Sequence, residues 1–562
     1  MAPTPSYAQG STEVPLIAQT LGAFFDDMVA RQPGREALVS RHEGRRLSYR
    51  ELQTASNRLA SALLNLGLVP GDRVGIWSHN NVAWVLVQIA TAKVGIILVN
   101  INPAYRTSEL EYVLNKAGIK ALVTMARFKT SDYLGMLREL GPDRLPLLRH
   151  VAWIDREAEA NPTEMPPDLQ PGIQRFSALL ASGNPDDPRI LQIGSTVKAT
   201  DPVNIQFTSG TTGFPKGATL THRNILNNGF FIGECMQLTP TDRLCIPVPL
   251  YHCFGMVLGN LACLTHGATI VYPNDGFDPL TVLEAVQAEK CTGLHGVPTM
   301  FIAELDHPRF GEFDLSTLRT GIMAGSPCPT EVMKRVVDQM HLAQITIAYG
   351  MTETSPVSCQ SSTDTPLAKR VSTVGTVQPH LEIKIIDAET GAVVPRGTSG
   401  ELCTRGYAVM HGYWEDEEKT GEAIDTERWM HTGDLATMDT DGYVNIVGRI
   451  KDLVIRGGEN IYPREIEEFL YRHPQVQDVQ VVGLPDKRYG EELCAWIIAK
   501  PGQNATEDDI RDFCNGQIAH YKVPKYIRFV DAFPMTVTGK IQKYKIRDAM
   551  KELLGLNEDK TA

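Results

Sequence analysis

The sequence predicts an α/β protein: a large N-terminal part built on doubly wound sheets, followed by a small α+β domain. Three observations lead there. From Ser48 onward, amphipathic helical stripes alternate with short apolar runs, the pattern of parallel strands joined by crossover helices. The chain has 562 residues, 43% of them apolar, which is too long for one ordinary core. Near residue 450 the pattern breaks at a charged junction, Arg449-Ile450-Lys451-Asp452, and about 110 residues follow it, enough for a small domain. The boundary is set between 449 and 450, giving domains 1–449 and 450–562.

Taken in order, Leu52, Ala55, Leu59, Leu63 and Leu64 form a helical stripe that ends at Gly67, and Arg73–Trp77 reads as a short buried strand. The longest apolar segment, Val82–Val99, has membrane length but is interrupted by Lys93 and Gly95. It reads as a buried helix over Val82–Ala92, a turn, and a strand over Ile96–Val99, so no transmembrane segment is expected. Further buried strands fall at Leu122–Val123, Leu244–Val248, Ala268–Val271 and Gly293–Val297. Glu157–Ser195, rich in Pro, Asp and Ser, reads as a surface excursion with one short helix at Phe176–Leu180. Past the junction, Gly457-Gly458 makes a turn and Pro463 opens a helix packing through Ile466, Phe469 and Leu470. Strands at Val476–Val482 and Leu493–Ala499 follow.

Charge and cysteine usage narrow the function. Lys plus Arg number 54 against 66 Asp plus Glu, a net charge of -12, which disfavours nucleic acid as a partner. The ten cysteines include no CxxC pair and none precedes Cys235, so reduced thiols in a cytoplasm are expected. Met1–Glu13 has no positively charged region, so no signal peptide is indicated. The oligomeric state, a homodimer being one candidate, is left open.

The densest chemistry lies in Thr208-Ser209-Gly210-Thr211-Thr212-Gly213-Phe214-Pro215-Lys216-Gly217, just after the alternation Val203, Ile205, Phe207. Glycines let backbone N–H groups face an anion, hydroxyls add donors, and a lysine adds a positive charge: a grip for polyphosphate. It is not a Walker loop, because Lys216 follows Pro215 and precedes Gly217. A surface turn is the lesser reading of such a loop taken alone. Downstream stand Gly325-Ser326-Pro327 and Tyr349-Gly350-Met351-Thr352-Glu353-Thr354, where an aromatic, a hydroxyl and a carboxylate could stack a base, bond a phosphate and hold Mg²⁺. Thr432-Gly433-Asp434 puts a carboxylate beside a turn, suited to ribose hydroxyls or to a simple Asx-turn. Gly448-Arg449-Ile450-Lys451-Asp452 and Pro534-Met535-Thr536-Val537-Thr538-Gly539-Lys540 complete the series, although a lysine after a Thr-Gly turn is by itself ordinarily a solvated one.

In this order the motifs resemble those of the adenylate-forming (AMP-binding) superfamily, the acyl-CoA synthetases in particular, from about Phe24 to Met550. The resemblance implies an N-terminal AMP-binding and acyl-binding domain and a mobile C-terminal one. Thr208 to Lys216 would embrace the β- and γ-phosphates of ATP. Gly325, Ser326, Pro327 and Tyr349, with Gly350 and Met351, would frame the adenine. Thr352 would bond the α-phosphate, Glu353 would hold Mg²⁺, and Asp434 with Arg449 would fix the ribose. Lys540 would reach the α-phosphate and the substrate carboxylate. For the second step, rotation about Lys451 would withdraw Lys540 and bring Gly457, Gly458 and Glu459 toward coenzyme A. His252 matches a family position near the phosphates and acyl pocket; a packed core histidine is the other reading.

The segment Pro249–Met256 carries no acid to meet an ammonium group, which favours a plain carboxylic acid. Phe230, Phe231, Phe254, Met256, Met323 and Val357 lie in segments that line the acyl pocket of relatives. Ala83–Tyr105, with Asn102-Pro103-Ala104-Tyr105, resembles the medium- and long-chain fatty acyl-CoA synthetases. The expected reaction is ATP-dependent ligation of a medium- or long-chain fatty acid to CoA through an acyl-adenylate, releasing AMP and pyrophosphate. Competing readings are a ligase loading a carrier protein, a CoA ligase for aryl or branched acids, and a luciferase-like oxygenase. A non-catalytic sensor is disfavoured, because Lys216, Thr352, Glu353, Asp434, Arg449 and Lys540 are all present.

Overall fold

In the computed structural model, residues 4–155, 172–208, 215–456, 459–503, 505–515, 517–536 and 541–556 are described. The helix Tyr49–Asn65 starts at a capping box in which Ser48 and Glu51 satisfy each other's backbone N–H groups. Its apolar stripe buries Leu52, Leu59 and Leu63. After the strand Arg73–Trp77 comes the helix Val82–Lys93, capped by Asn81 and buried on every face. It packs against the helices Leu21–Arg31 and Tyr49–Asn65, so its membrane-like hydropathy belongs to a core helix. Lys93 at its end pairs with Asp26. Burial lowers the pKa of that lysine, and the Asp26 charge opposes the shift. Among the described residues, no helix is long and apolar enough to cross a membrane.

Two large sheets form the N-terminal part among the described residues. The first runs in the order Ile173–Arg175, His150–Ile154, Ile119–Met125, Arg73–Trp77, Ile97–Asn100, Pro202–Thr208, Lys216–Thr221, Gly412–Tyr413. It is parallel up to Pro202–Thr208, and the last two strands are antiparallel additions. The second has a parallel centre of Glu36–Ser40, Thr269–Tyr272, Arg243–Cys245, Gly293–Gly296, Thr320–Ala324 and Gln344–Gly350. The expected parallel α/β core is therefore present, and its strands lie where the apolar runs put them. Among its described residues, the excursion before the phosphate loop holds two helices, Phe176–Ala181 and Pro188–Gly194. The second was not foreseen; Asp187 caps it, with Pro188 in the first turn.

A third sheet departs from the doubly wound expectation. Tyr7–Gln9, Leu381–Ile386, Gly400–Gly406, Met430–Met438 and Val444–Arg449 pair antiparallel throughout. Its antiparallel pairs need no right-handed crossover helix, and Met430–Met438 and Val444–Arg449 are joined by a short turn, so the strict strand–helix alternation that marks parallel sheets is missing there. Beyond it, Glu459–Ile461, Val454–Arg456, Gly490–Ala499, Val476–Asp486 and Tyr526–Phe529 form a separate sheet. The helices Pro463–Leu470 and Lys543–Leu554 pack on its strand Val476–Asp486. Its two hydrophobic clusters draw only on residues from Val454 onward.

Candidate active site

The ends of parallel strands bring the predicted residues together. In α/β sheets the crevice beyond the carboxyl ends of parallel strands is where ligands bind. Thr320–Ala324 and Gln344–Gly350 are parallel neighbours, with Ala324 opposite Ala348, so Gly325 and Tyr349 emerge side by side. Gly325 has φ +92, and a Cβ there would lie 3.1 Å from Val297, which accounts for the glycine. Ser326 is half-buried and Pro327 exposed. Thr208 ends its own parallel strand in the other sheet and faces Lys216 in antiparallel register. Ser209, Gly210, Thr211, Thr212, Gly213 and Phe214 lie outside the described residues, as do Gly457, Gly458 and Lys540.

The residues expected at the phosphates are organised by an aromatic that sequence reasoning missed. Lys216 Nζ sits 4.3 Å from the centroid of the Tyr413 ring. The Tyr413 hydroxyl donates to Glu353 Oε1 at 2.8 Å. Glu353 lies in the single 3₁₀ turn Thr352–Thr354, next to the half-buried Thr352, and its backbone carbonyl accepts from Met410 N at 2.8 Å. Gly350 and Met351 lead into that turn; a Cβ on Gly350 would collide with the Pro356 carbonyl. A signal for Tyr413 existed in Gly412-Tyr413-Trp414, but nothing local tied it to residues so distant in the chain.

The residues expected at the ribose form a chain of three polar groups. Tyr349 Oη donates to Asp434 Oδ2 at 2.7 Å, and Arg449 Nε donates to Asp434 Oδ1 at 3.1 Å. Burial and then the Asp434 charge hold the Tyr349 hydroxyl well above its ordinary pKa, so it stays a donor. Thr432-Gly433-Asp434 is not an isolated turn: it lies within the strand Met430–Met438, where Asp434 pairs in register with Arg449. The local kink is Gly433, at φ +68, whose N–H donates to Glu401 Oε1 at 3.0 Å. Asp434 N donates to Thr432 Oγ1 at 3.1 Å, and Thr432 donates to the Leu402 carbonyl at 2.6 Å.

Other predicted residues are not members of these two hydrogen-bonded groups, although the Arg449 and Asp434 charges act on Lys451. His252 Nδ1 accepts from Phe254 N at 3.2 Å, at the entrance to a buried π-helix over Phe254–Leu261. Lys451 is exposed in the 3₁₀ turn Ile450–Asp452, and Glu459 is exposed at the start of the strand Glu459–Ile461. The six residues expected to line an acyl pocket fall into three clusters. Phe254, Met256 and Val357 share one, Phe230 and Phe231 pack with Tyr407 and Leu381, and Met323 is in the core under the second sheet.

Among the described residues, one group of donors could close around a metal: Glu401, Cys403 and His431. Glu353 is not in it. Magnesium keeps several waters and needs only one or two carboxylates when phosphates supply the rest, so a single buried Glu353 suits it.

A family model described as AMP-binding enzyme matches residues 25–414, and one described as AMP-binding enzyme C-terminal domain matches residues 465–540. The chain belongs to the AMP-binding enzyme family. Like this AMP-binding enzyme, a putative acyl-CoA synthetase, YngI, of Bacillus subtilis (strain 168) runs the full length: 46% identity, covering 96% of this chain and 99% of the relative. The mitochondrial medium-chain acyl-CoA ligase ACSF2 of Homo sapiens is 44% identical, covering 98% of this chain and 91% of its own. Among solved structures, the anthranilate CoA ligase AuaEII in complex with anthranoyl-AMP aligns with TM-score 0.85 and 26% identity, over 97% of this chain and 99% of that one.

Proposed function

We propose that this AMP-binding enzyme is an acid–thiol ligase that joins a medium- or long-chain fatty acid to coenzyme A through an acyl-adenylate. The observation that carries the reading is the pairing of two built groups at the strand ends: Lys216–Tyr413–Glu353 and Tyr349–Asp434–Arg449. The first offers a cation and a carboxylate to a polyphosphate. The second offers a fixed carboxylate to a ribose diol. A carboxylate attacking ATP meets a polyanion, so cations must offset the repulsion and stabilise the charge that develops. Lys216 and Lys540 supply such cations, and Thr352 a hydroxyl for the α-phosphate. Bound magnesium, held by Glu353 and phosphate oxygens, would add further neutralisation.

The fatty acid is supported by the full-length similarity to a medium-chain acyl-CoA ligase. Coenzyme A, rather than a carrier protein, fits both curated relatives. His252 is assigned near the phosphates and the acyl chain. The division at 449/450, with Lys451 as hinge and Gly457, Gly458 and Glu459 facing coenzyme A, gives one small domain two roles in turn. The ten free cysteines suit a reducing compartment such as the cytoplasm.

Mass spectrometry of the protein with ATP, Mg²⁺ and mixed carboxylic acids, with and without CoA, tests the reading. Acyl-CoA formed only when CoA is present supports it, and the acid consumed fastest names the substrate. Adenylate that accumulates and ignores CoA would replace it with a carrier-protein ligase. In Lys540→Ala, adenylate formation falls about a hundredfold while supplied acyl-adenylate still reacts with CoA. Equal loss of both steps refutes the separate roles.

A further inference from the structure

We propose that Tyr413 is the positioning residue that holds Lys216 and Glu353 apart and sets the metal–phosphate site between them. The inference rests on the reading of that site given above. A phenol is suited to the task because its hydroxyl can serve an anion while its ring face serves a cation. Here one side chain does both: the hydroxyl donates to Glu353 Oε1 at 2.8 Å, and Lys216 Nζ lies 4.3 Å from the ring centroid. Tyr413 and Glu353 are both buried, at 7% and 6% exposure, so the hydrogen bond is shielded from water.

The backbone makes this placement rigid. Tyr413 pairs with Ala218 on the strand that leaves the phosphate loop, and Trp414 N donates to the Gly217 carbonyl at 2.7 Å. Tyr413 N donates to Thr420 Oγ1 at 2.9 Å. One short strand thus ties the lysine's hairpin to the glutamate's turn. Among the described residues the lysine and glutamate form no direct ion pair; each instead contacts Tyr413, the lysine at its ring and the glutamate at its hydroxyl. That arrangement leaves the ammonium for phosphate and holds one carboxylate oxygen, leaving its second oxygen for a cation.

The test uses the full-length protein and its variants Tyr413→Phe and Tyr413→Leu. Binding of a non-hydrolysable ATP analogue is measured by calorimetry over a range of Mg²⁺, with AMP as the control ligand. Tyr413→Phe keeps the ring and loses only the hydroxyl. Its magnesium requirement should rise about tenfold, the scale of a lost hydrogen bond to a charged group. AMP, which lacks the outer phosphates, should bind as in the unmodified protein. Tyr413→Leu should in addition weaken the analogue severalfold, on the order of a lost cation–π contact, even without magnesium.

A Tyr413→Phe variant with unchanged magnesium dependence, in a protein that binds the analogue, overturns the proposal. So does an equal loss of AMP and analogue, which would mark Tyr413 as a general structural residue. If the unmodified protein binds neither ligand, the nucleotide reading itself fails and this inference with it. Tyr413→Phe is conservative enough to decide the matter should Tyr413→Leu not fold.

Discussion

The region up to Arg449 and the region from Val454 onward are held together in different ways. In the first, the candidate site residues sit on strands whose neighbours are fixed by register, as Asp434 is by Arg449 and Tyr413 by Ala218. The second has its own sheet and its own hydrophobic clusters. It meets the first through polar contacts: Arg464 Nη1 donates to the Ile446 carbonyl at 2.6 Å, Gln477 to Asp306 Oδ2 at 2.9 Å, and Thr330 N to Glu468 Oε2 at 3.4 Å. Such bonds exchange readily with water and contribute roughly 1 kcal/mol each, whereas separating shared core would cost about 25 cal/mol per Å². Precision in the large region and loose attachment of the small one are what a two-step ligase requires.

The largest expected effect strikes the rigid side. Asp434→Ala leaves Arg449 and the Tyr349 hydroxyl without their shared acceptor, so kcat/KM for ATP in adenylation should fall about a thousandfold. Pyrophosphate exchange measures it, and a loss below about tenfold would mean the ribose is held elsewhere.

Acid should next set the two regions against each other. His222 and His295 are buried in the large region, and burial lowers both to about 4. Their Nδ1 atoms accept backbone N–H groups from Leu21 and Ile322. Their folded pKa lies below the unfolded value of 6.5, so the stability they contribute is present above pH 6.5 and lost as pH falls toward 4. At pH 5 each should cost about 2 kcal/mol. Asp478 in the small region is raised by burial to about 6. Its contribution has the opposite sign, lost as pH rises from 3.8 through 6, so acidification from pH 7 to 5 should strengthen its surroundings by roughly 1 kcal/mol. Hydrogen exchange followed by mass spectrometry at both pH values separates the regions; a uniform response would contradict the contrast.

Tyr349→Phe removes one of two donors to Asp434 and should raise KM for ATP about tenfold, with kcat little changed. Smallest is Arg464→Ala, which deletes a contact between the regions. It should shift the ratio of the two half-reaction rates only about threefold to fivefold, with the large region's stability unchanged. A hundredfold change there would show the attachment to be tighter than its hydrogen bonds suggest.

Much of this was legible along the chain. Strands such as Arg73–Trp77 announce themselves as short apolar runs because both faces are buried, and helices such as Tyr49–Asn65 because burial of one face imposes a period of 3.6. The motifs from Thr208 to Lys540 identify the family because each is a short contiguous run. The antiparallel third sheet was less visible, since its strands lack crossover helices to punctuate them. Which cluster each candidate acyl-lining residue joins was not legible, because apolar segments carry no mark of it.

By itself, then, the sequence determined the alternating α/β core, the change of pattern near residue 450 and the motifs that mark the candidate site, all of which rest on local patterning. Tertiary structure alone decided that Tyr413 contacts both Lys216 and Glu353, and that Asp434 takes both the Tyr349 hydroxyl and the Arg449 guanidinium. Those partners are brought together by strand order and register, and pairing between distant strands leaves no periodic trace in the residues that make it.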